Sequence, residues 1–138
     1  MTETEPRHYA RDRAAWRRWL ERYHGRRAVV RLVFYRKATG KPCPTYDEAV
    51  EEALCFGWID GVKSKLDDER YAYRFTPRRP RSKWSASNKR RVAKLEAAGL
   101  MRPAGEAAVA EAKKAETRER RAKKAADALR SGARRPDA

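Results

Sequence analysis

TYDEAVEEALCFGWIDGVKSKLDDERYAYRF, residues 45–75, decides the fold, because it reads as one helix followed by one hairpin. Thr45 and Glu48 have the spacing of a capping box: the hydroxyl accepts from the Glu48 N–H, and the carboxylate reaches back to the Thr45 N–H. Ala49, Val50, Ala53 and Leu54 then share a helical face, and Gly57 ends the helix. Strands are predicted over about 58–66 and 70–75, with Asp67 and Asp68 supplying the turn. Tyr71, Tyr73 and Phe75 alternate with Ala72 and Arg74, which predicts a buried aromatic face.

Upstream, AVVRLVFY (28–35) is β-branched and aromatic over the length of a strand, interrupted by Arg31, and its near-continuous apolar text predicts a central strand. Before it, Ala15, Trp16, Trp19, Leu20 and Tyr23 repeat at helical spacing over 12–23. His24 reads as the cap of that helix, ahead of Gly25, and His8 as part of a disordered arm. Downstream, Ser85 caps a helix running to about 98, Gly99 closes it, and Pro103 opens the last helix where its missing N–H costs nothing. The expected order is α-β-α-β-β-α-α, an α+β domain with a small antiparallel sheet of about three strands packed by four helices.

The chain of 138 residues is one domain's worth. Its 35 lysines and arginines against 19 acids leave a net charge of +16, while 41% hydrophobic residues and four tryptophans are enough to build a core. Residues 1–110 are expected to hold the domain. Residues 111–138 have Leu129 as their one large apolar side chain and read as a basic Ala/Lys/Arg tail, a frayed helix running into disorder. No apolar run of 18 residues occurs, which excludes a transmembrane helix, and the opening MTETEPRHYARDR lacks the apolar stretch of a secretory signal. Cys43 and Cys55 form no CxxC and have only His8 and His24 as co-ligands, which argues against a zinc site or a disulfide scaffold. A reducing, cytoplasmic setting with no cofactor and no metal is expected.

The strongest chemical signal is residues 74–94, where Arg74, Arg78, Arg79, Arg81, Lys83, Lys89, Arg90, Arg91 and Lys94 occur without an acid among them. The hydroxyls of Thr76, Ser82 and Ser85, the Asn88 amide, the helix start at Ser85 and the Trp84 ring suit a phosphate or carboxylate beside them. Asp60, between Trp58 and Gly61, is expected to orient Arg74 or Arg78, with a general-base role as the alternative. Two readings of the run stand side by side: an anion site, and a solvated basic face in a chain with 24 arginines. If the anion is nucleic acid, binding is sequence-blind, because no helix-turn-helix, RNP or zinc signature is present. A small enzyme or small-anion binder with a pocket around Asp60, Arg74, Arg78, Trp84 and Asn88 is the alternative. Cys55 in an apolar helix end reads as packing rather than as a nucleophile, and the nucleotide-loop, metalloprotease and serine-hydrolase motifs are missing.

Three blocks in order, EALCFGWIDG (52–61), RFTPRRPRSKWS with Asn88 (74–88) and GLMRPAG (99–105), make residues 8–110 resemble the bacteriocin-protection family of YdeI/OmpD-associated proteins. The resemblance implies a link to tolerance of bacteriocins or antimicrobial peptides and an envelope-protein partner, and it carries no reaction or cofactor. This chain departs from the pattern at Arg102, where the family has a capping Thr, and at Glu106, where an apolar residue is usual. Those departures predict a loosely docked last helix. The best overall reading is a non-enzymatic anion-binding protein whose partner is nucleic acid or another polyanion.

Overall fold

The computed structural model describes residues 5–80 and 83–130. Strand β1 (Arg7–Tyr9) leads into helix α1 (Arg13–Tyr23), strand β2 (Val30–Tyr35), helix α2 (Tyr46–Cys55), the hairpin β3 (Trp58–Lys65) and β4 (Arg70–Pro77), and helices α3 (Ala86–Ala97) and α4 (Pro103–Arg130). The sheet runs β1-β2-β4-β3. The fold is therefore α+β, with four helices against a sheet of four strands rather than about three. The sheet is also mixed, because β1 lies parallel to β2 while the other pairs are antiparallel.

The caps form as their residue types dictate. Asp12 accepts from the Ala15 N–H at 2.8 Å, Thr45 and Glu48 close the full capping box, and Ser85 accepts from the Asn88 N–H at 3.0 Å. His24 is the C-cap of α1, as expected. His8, by contrast, belongs to β1, half-buried against Trp19 at 5.7 Å between ring centroids. The inward face of the sheet, with Leu32, Phe34 and Phe75, meets Trp16 and Leu20 of α1 and Val50, Ala53 and Leu54 of α2 in one core. Trp16 packs on Phe75 at 5.1 Å and donates its indole N–H to the Ala49 carbonyl at 3.0 Å.

Beyond its exposed first turn, helix α2 is buried at every residue from Ala49 to Cys55, so Glu51 and Glu52 are buried along with the apolar face. A buried carboxylate is tolerated only with partners. Arg13 reaches Glu51 at 2.9 Å and Glu52 at 2.7 Å, Arg17 reaches Glu52 at 2.8 Å, and Lys94 of α3 reaches Glu51 at 2.7 Å. Arg17 also donates to the Leu100 carbonyl at 2.7 Å, which ties the α3–α4 turn to α1.

Helix α4 begins tightly seated, contrary to the looseness expected from Arg102 and Glu106. The Arg102 N–H donates to the Cys55 carbonyl at 3.0 Å, and Gly105 and Val109 are buried. A Cβ on Gly105 would collide with the Cys55 carbonyl and stand 2.8 Å from the Leu54 oxygen. From there α4 continues as a single helix of 28 residues, about 42 Å long at 1.5 Å per residue. It passes without a break through the position where the domain was expected to end, and residues 117–130 are exposed throughout. Among the described residues, no helix is long and apolar enough to cross a membrane.

The glycine contacts make a direct comparison. Gly105→Ala should destabilise the domain by about 2–3 kcal/mol, because the methyl group meets fixed backbone and forces α4 outward. Gly99→Ala, with φ at +72° and open space around it, should cost only about 1 kcal/mol of left-handed strain. Urea unfolding of both variants checks the order; equal losses would mean that α4 is not closely seated.

Candidate nucleic-acid interface

The basic run of residues 74–94 is not free of acids once folded. Arg74 of β4 is held by Glu5 at 2.9 Å, Lys89 by Glu116 of α4 at 2.5 Å, Arg91 by Asp47 at 2.5 Å, and Lys94 by Glu51. Each acid lies far away in sequence, at separations from 27 to 69 residues. Arg78, Arg79, Lys83 and Arg90 have no carboxylate partner among the described residues. Arg90 stands apart from the other three, beside Ser87 and Arg91 on α3. Arg81 and Ser82, named above as candidate ligands, lie outside the described residues.

Arg78 follows directly on β4, and its N–H donates to the Gly57 carbonyl at 2.8 Å. Its guanidinium lies over the Trp84 ring, 4.0 Å from the centroid, an arrangement that both stacks and attracts. One terminal nitrogen donates to the Lys83 carbonyl at 3.0 Å, whereas the buried Nε has no acceptor. Burial lowers the Arg78 pKa from its ordinary value, against a smaller opposing pull from the Asp60 charge.

Arg78, Arg79 and Trp84 line a cleft of about 450 Å³ whose other walls are the end of α1 at His24 and Gly25, the α2–β3 turn, and Ala104, Ala107 and Ala108 of α4. The remaining candidates sit elsewhere. Asp60 of β3 does not orient the arginines by contact: its carboxylate accepts from the Tyr46 hydroxyl at 2.7 Å. Burial, and then that hydrogen bond, push the Tyr46 pKa up to about 12. Thr76 pairs opposite Ile59 within the hairpin. Ser85 is occupied as the α3 cap, and Asn88 accepts from Arg91 through its side-chain oxygen at 2.9 Å. The pocket imagined around Asp60, Arg74, Arg78, Trp84 and Asn88 is thus not one site, since only Arg78 and Trp84 meet in the cleft.

Sequence reading missed the walls of this cleft, because Gly25, Gly57 and the alanines of α4 carry no chemistry of their own. Gly57 was legible as a helix stop, but not as the point where the α2–β3 turn comes close to Ala104 of α4. Cys55 is buried, and burial raises its thiol pKa against the opposing influence of Arg17, so it has the character of packing and not of a nucleophile. Among the described residues, no cluster of three metal-ligating side chains occurs.

The chain belongs to the family described as "Domain of unknown function (DUF8412)", whose model matches residues 8–108. No curated protein and no solved structure gives a significant match.

The ion network predicts an acid-side stability loss. Burial alone would weaken Glu51 as an acid, but hydrogen bonds from Lys94 and Arg13 outweigh it and hold the pKa below the ordinary 4.5. The stability this group contributes is therefore complete above about pH 4.5 and is lost as pH falls through the lower, folded value. Thermal melts from pH 7 to 3 should show that decline, and Glu51→Gln should flatten it while lowering stability at pH 7. An unchanged acid profile in the variant would show that Glu51 does not contribute.

Proposed function

We propose that this domain is a non-enzymatic binder of nucleic acid, without sequence specificity, acting through Arg78, Arg79, Lys83 and Trp84. The observation that carries the reading is the division of the basic run. Four of its cations are neutralised by acids brought in by the fold, while Arg78 and Arg79 line one cleft with the Trp84 ring and, like the neighbouring Lys83, have no carboxylate partner among the described residues. Unneutralised cations beside a stacking ring suit a phosphate backbone. The exposed turns of α4 add Arg118, Arg120, Arg121, Lys123 and Lys124, which suit further phosphate contacts and electrostatic steering.

The resemblance to YdeI/OmpD-associated proteins adds a physiological setting, tolerance of bacteriocins or antimicrobial peptides, with an envelope protein as a second partner. A cytoplasmic location fits nucleic acid as the ligand. The small-anion alternative is weaker, because Asp60, Arg74 and Asn88 are engaged with Tyr46, Glu5 and Arg91.

Fluorescence titration of the full chain with duplex and single-stranded DNA and RNA, across a series of salt concentrations, tests this. Kd at physiological salt should fall below about 10⁻⁶ M for at least one of them, tighter than ordinary non-specific binding. Arg79→Gln with Lys83→Gln should weaken it and flatten the plot of log K against log salt by about 0.7–0.9 per lost phosphate contact. Neutralising Lys123 and Lys124 should have a smaller effect. Binding no tighter than about 10⁻⁶ M for every polymer, or binding that survives the first pair and vanishes with the second, overturns the assignment.

A further inference from the structure

A flat basic patch would explain attraction to a polyanion, but it would not explain the cleft beside it. Arg78 is held in place from three directions. Its backbone is tied to Gly57, one terminal nitrogen is tied to the Lys83 carbonyl, and its plane is set by Trp84. What remains is a fixed guanidinium with a buried, unsatisfied Nε donor. That Nε has essentially no exposed surface, so an oxygen anion entering the cleft would meet the terminal N–H groups of the guanidinium instead. The space in front is walled by aliphatic and aromatic groups, among them Trp58, Pro77, Pro80 and Ala107, with Glu111 as the one carboxylate on its lining.

The two halves of the cleft call for two halves of a ligand: an anionic group for Arg78 and Arg79, and a flat, weakly polar body for the apolar walls. A nucleotide has both. In a duplex the flat faces of the bases are stacked inside the helix and only base edges, sugars and phosphates are presented to a protein, whereas a single strand can splay a whole base outward. We infer that the cleft between the Arg78–Trp84 stack and the first turns of α4 receives one unpaired base of a single-stranded nucleic acid, with the adjoining phosphate on Arg78 and Arg79. This rests on the polyanion reading above and narrows it to strands with unpaired bases. Burial also lowers the Arg78 pKa, and a phosphate beside the guanidinium would raise it.

The test uses the full chain and labelled strands of about 12 nucleotides, within the span that single-strand sites cover. The probes are oligothymidylate, oligouridylate, an abasic sugar-phosphate strand of equal length, and a duplex. At equal salt, at least one base-bearing strand should bind about tenfold or more tightly than the abasic strand, since stacking a base contributes that much. Ala107→Trp, an exposed position on α4 that lines the cleft, should bring the ratio of base-bearing to abasic affinity down towards one. Arg78→Ala should weaken base-bearing and abasic strands alike. The tighter of the thymidylate and uridylate strands identifies whether DNA or RNA is preferred, and either result supports the site. Equal binding of base-bearing and abasic strands, or full affinity for bases in Ala107→Trp, overturns the inference while leaving polyanion binding intact. If no strand and no duplex binds below about 10⁻⁶ M, the polyanion reading fails and this inference fails with it.

Discussion

Glu51 and Glu52 lie on the stretch of α2 that is buried at every residue, and two adjacent carboxylates can remain there only because cations arrive from other elements. Arg13 and Arg17 come from α1, one turn apart, and Lys94 comes from α3. The geometry they demand fixes how α1 and α3 lie against α2, since a slip of one residue on α1 would leave a buried carboxylate without a donor. Arg17 extends the constraint by holding the Leu100 carbonyl, so the chain enters α4 from a defined point. Apolar side chains could fill the same volume, but they would not specify the register of three helices by directional contacts.

That arrangement also determines which of the chain's many cations are left to act. A net charge of +16 is a property of composition, whereas the distribution of unpaired charge is a property of the fold. Lys94 serves the buried glutamates, and Arg91, one helical turn before it, is drawn to Asp47 at the start of α2. Lys89 faces α4 and meets Glu116. The side of α3 that looks most basic in sequence is largely neutralised by its neighbours, and the residues ahead of the helix keep their charge.

Much of the architecture is legible because its determinants are local. The capping box at Thr45, the cap at Ser85, the apolar run of β2 and the aromatic alternation of β4 each depend on residues within a few positions of one another. Strand β1 is a different case: three residues, Arg7–Tyr9, carry no periodicity, and they form a strand only because β2 offers an open edge in parallel register. His8 owes its burial to that pairing and not to anything beside it in sequence. The burial of Glu51 and Glu52 has no local signal, since nothing near them in sequence shows that Arg13 and Arg17 cover them. In the candidate site, Arg78 and Trp84 were legible as types, six residues apart, but their stacking required the turn between them. The hydrogen bond from Tyr46 to Asp60 was not legible, because Tyr46 lies opposite it only after α2 folds back over the hairpin, and the Asp60 charge acts on Arg78 without contact.

The cleft and the core are linked through one short turn. Gly57, with φ at +76°, has the Ala104 carbonyl 2.9 Å from where a Cβ would stand, so the α2–β3 turn and the first turn of α4 approach as closely as backbone allows. The carbonyl of the same glycine receives the Arg78 N–H. One wall of the cleft, α4 at Ala104, Ala107 and Ala108, and the opposite wall, Arg78 on its tryptophan, are thus both referenced to Gly57. A cleft whose two walls share one reference point suits the planar ligand inferred above, because part of the ordering is then done by folding rather than by the ligand.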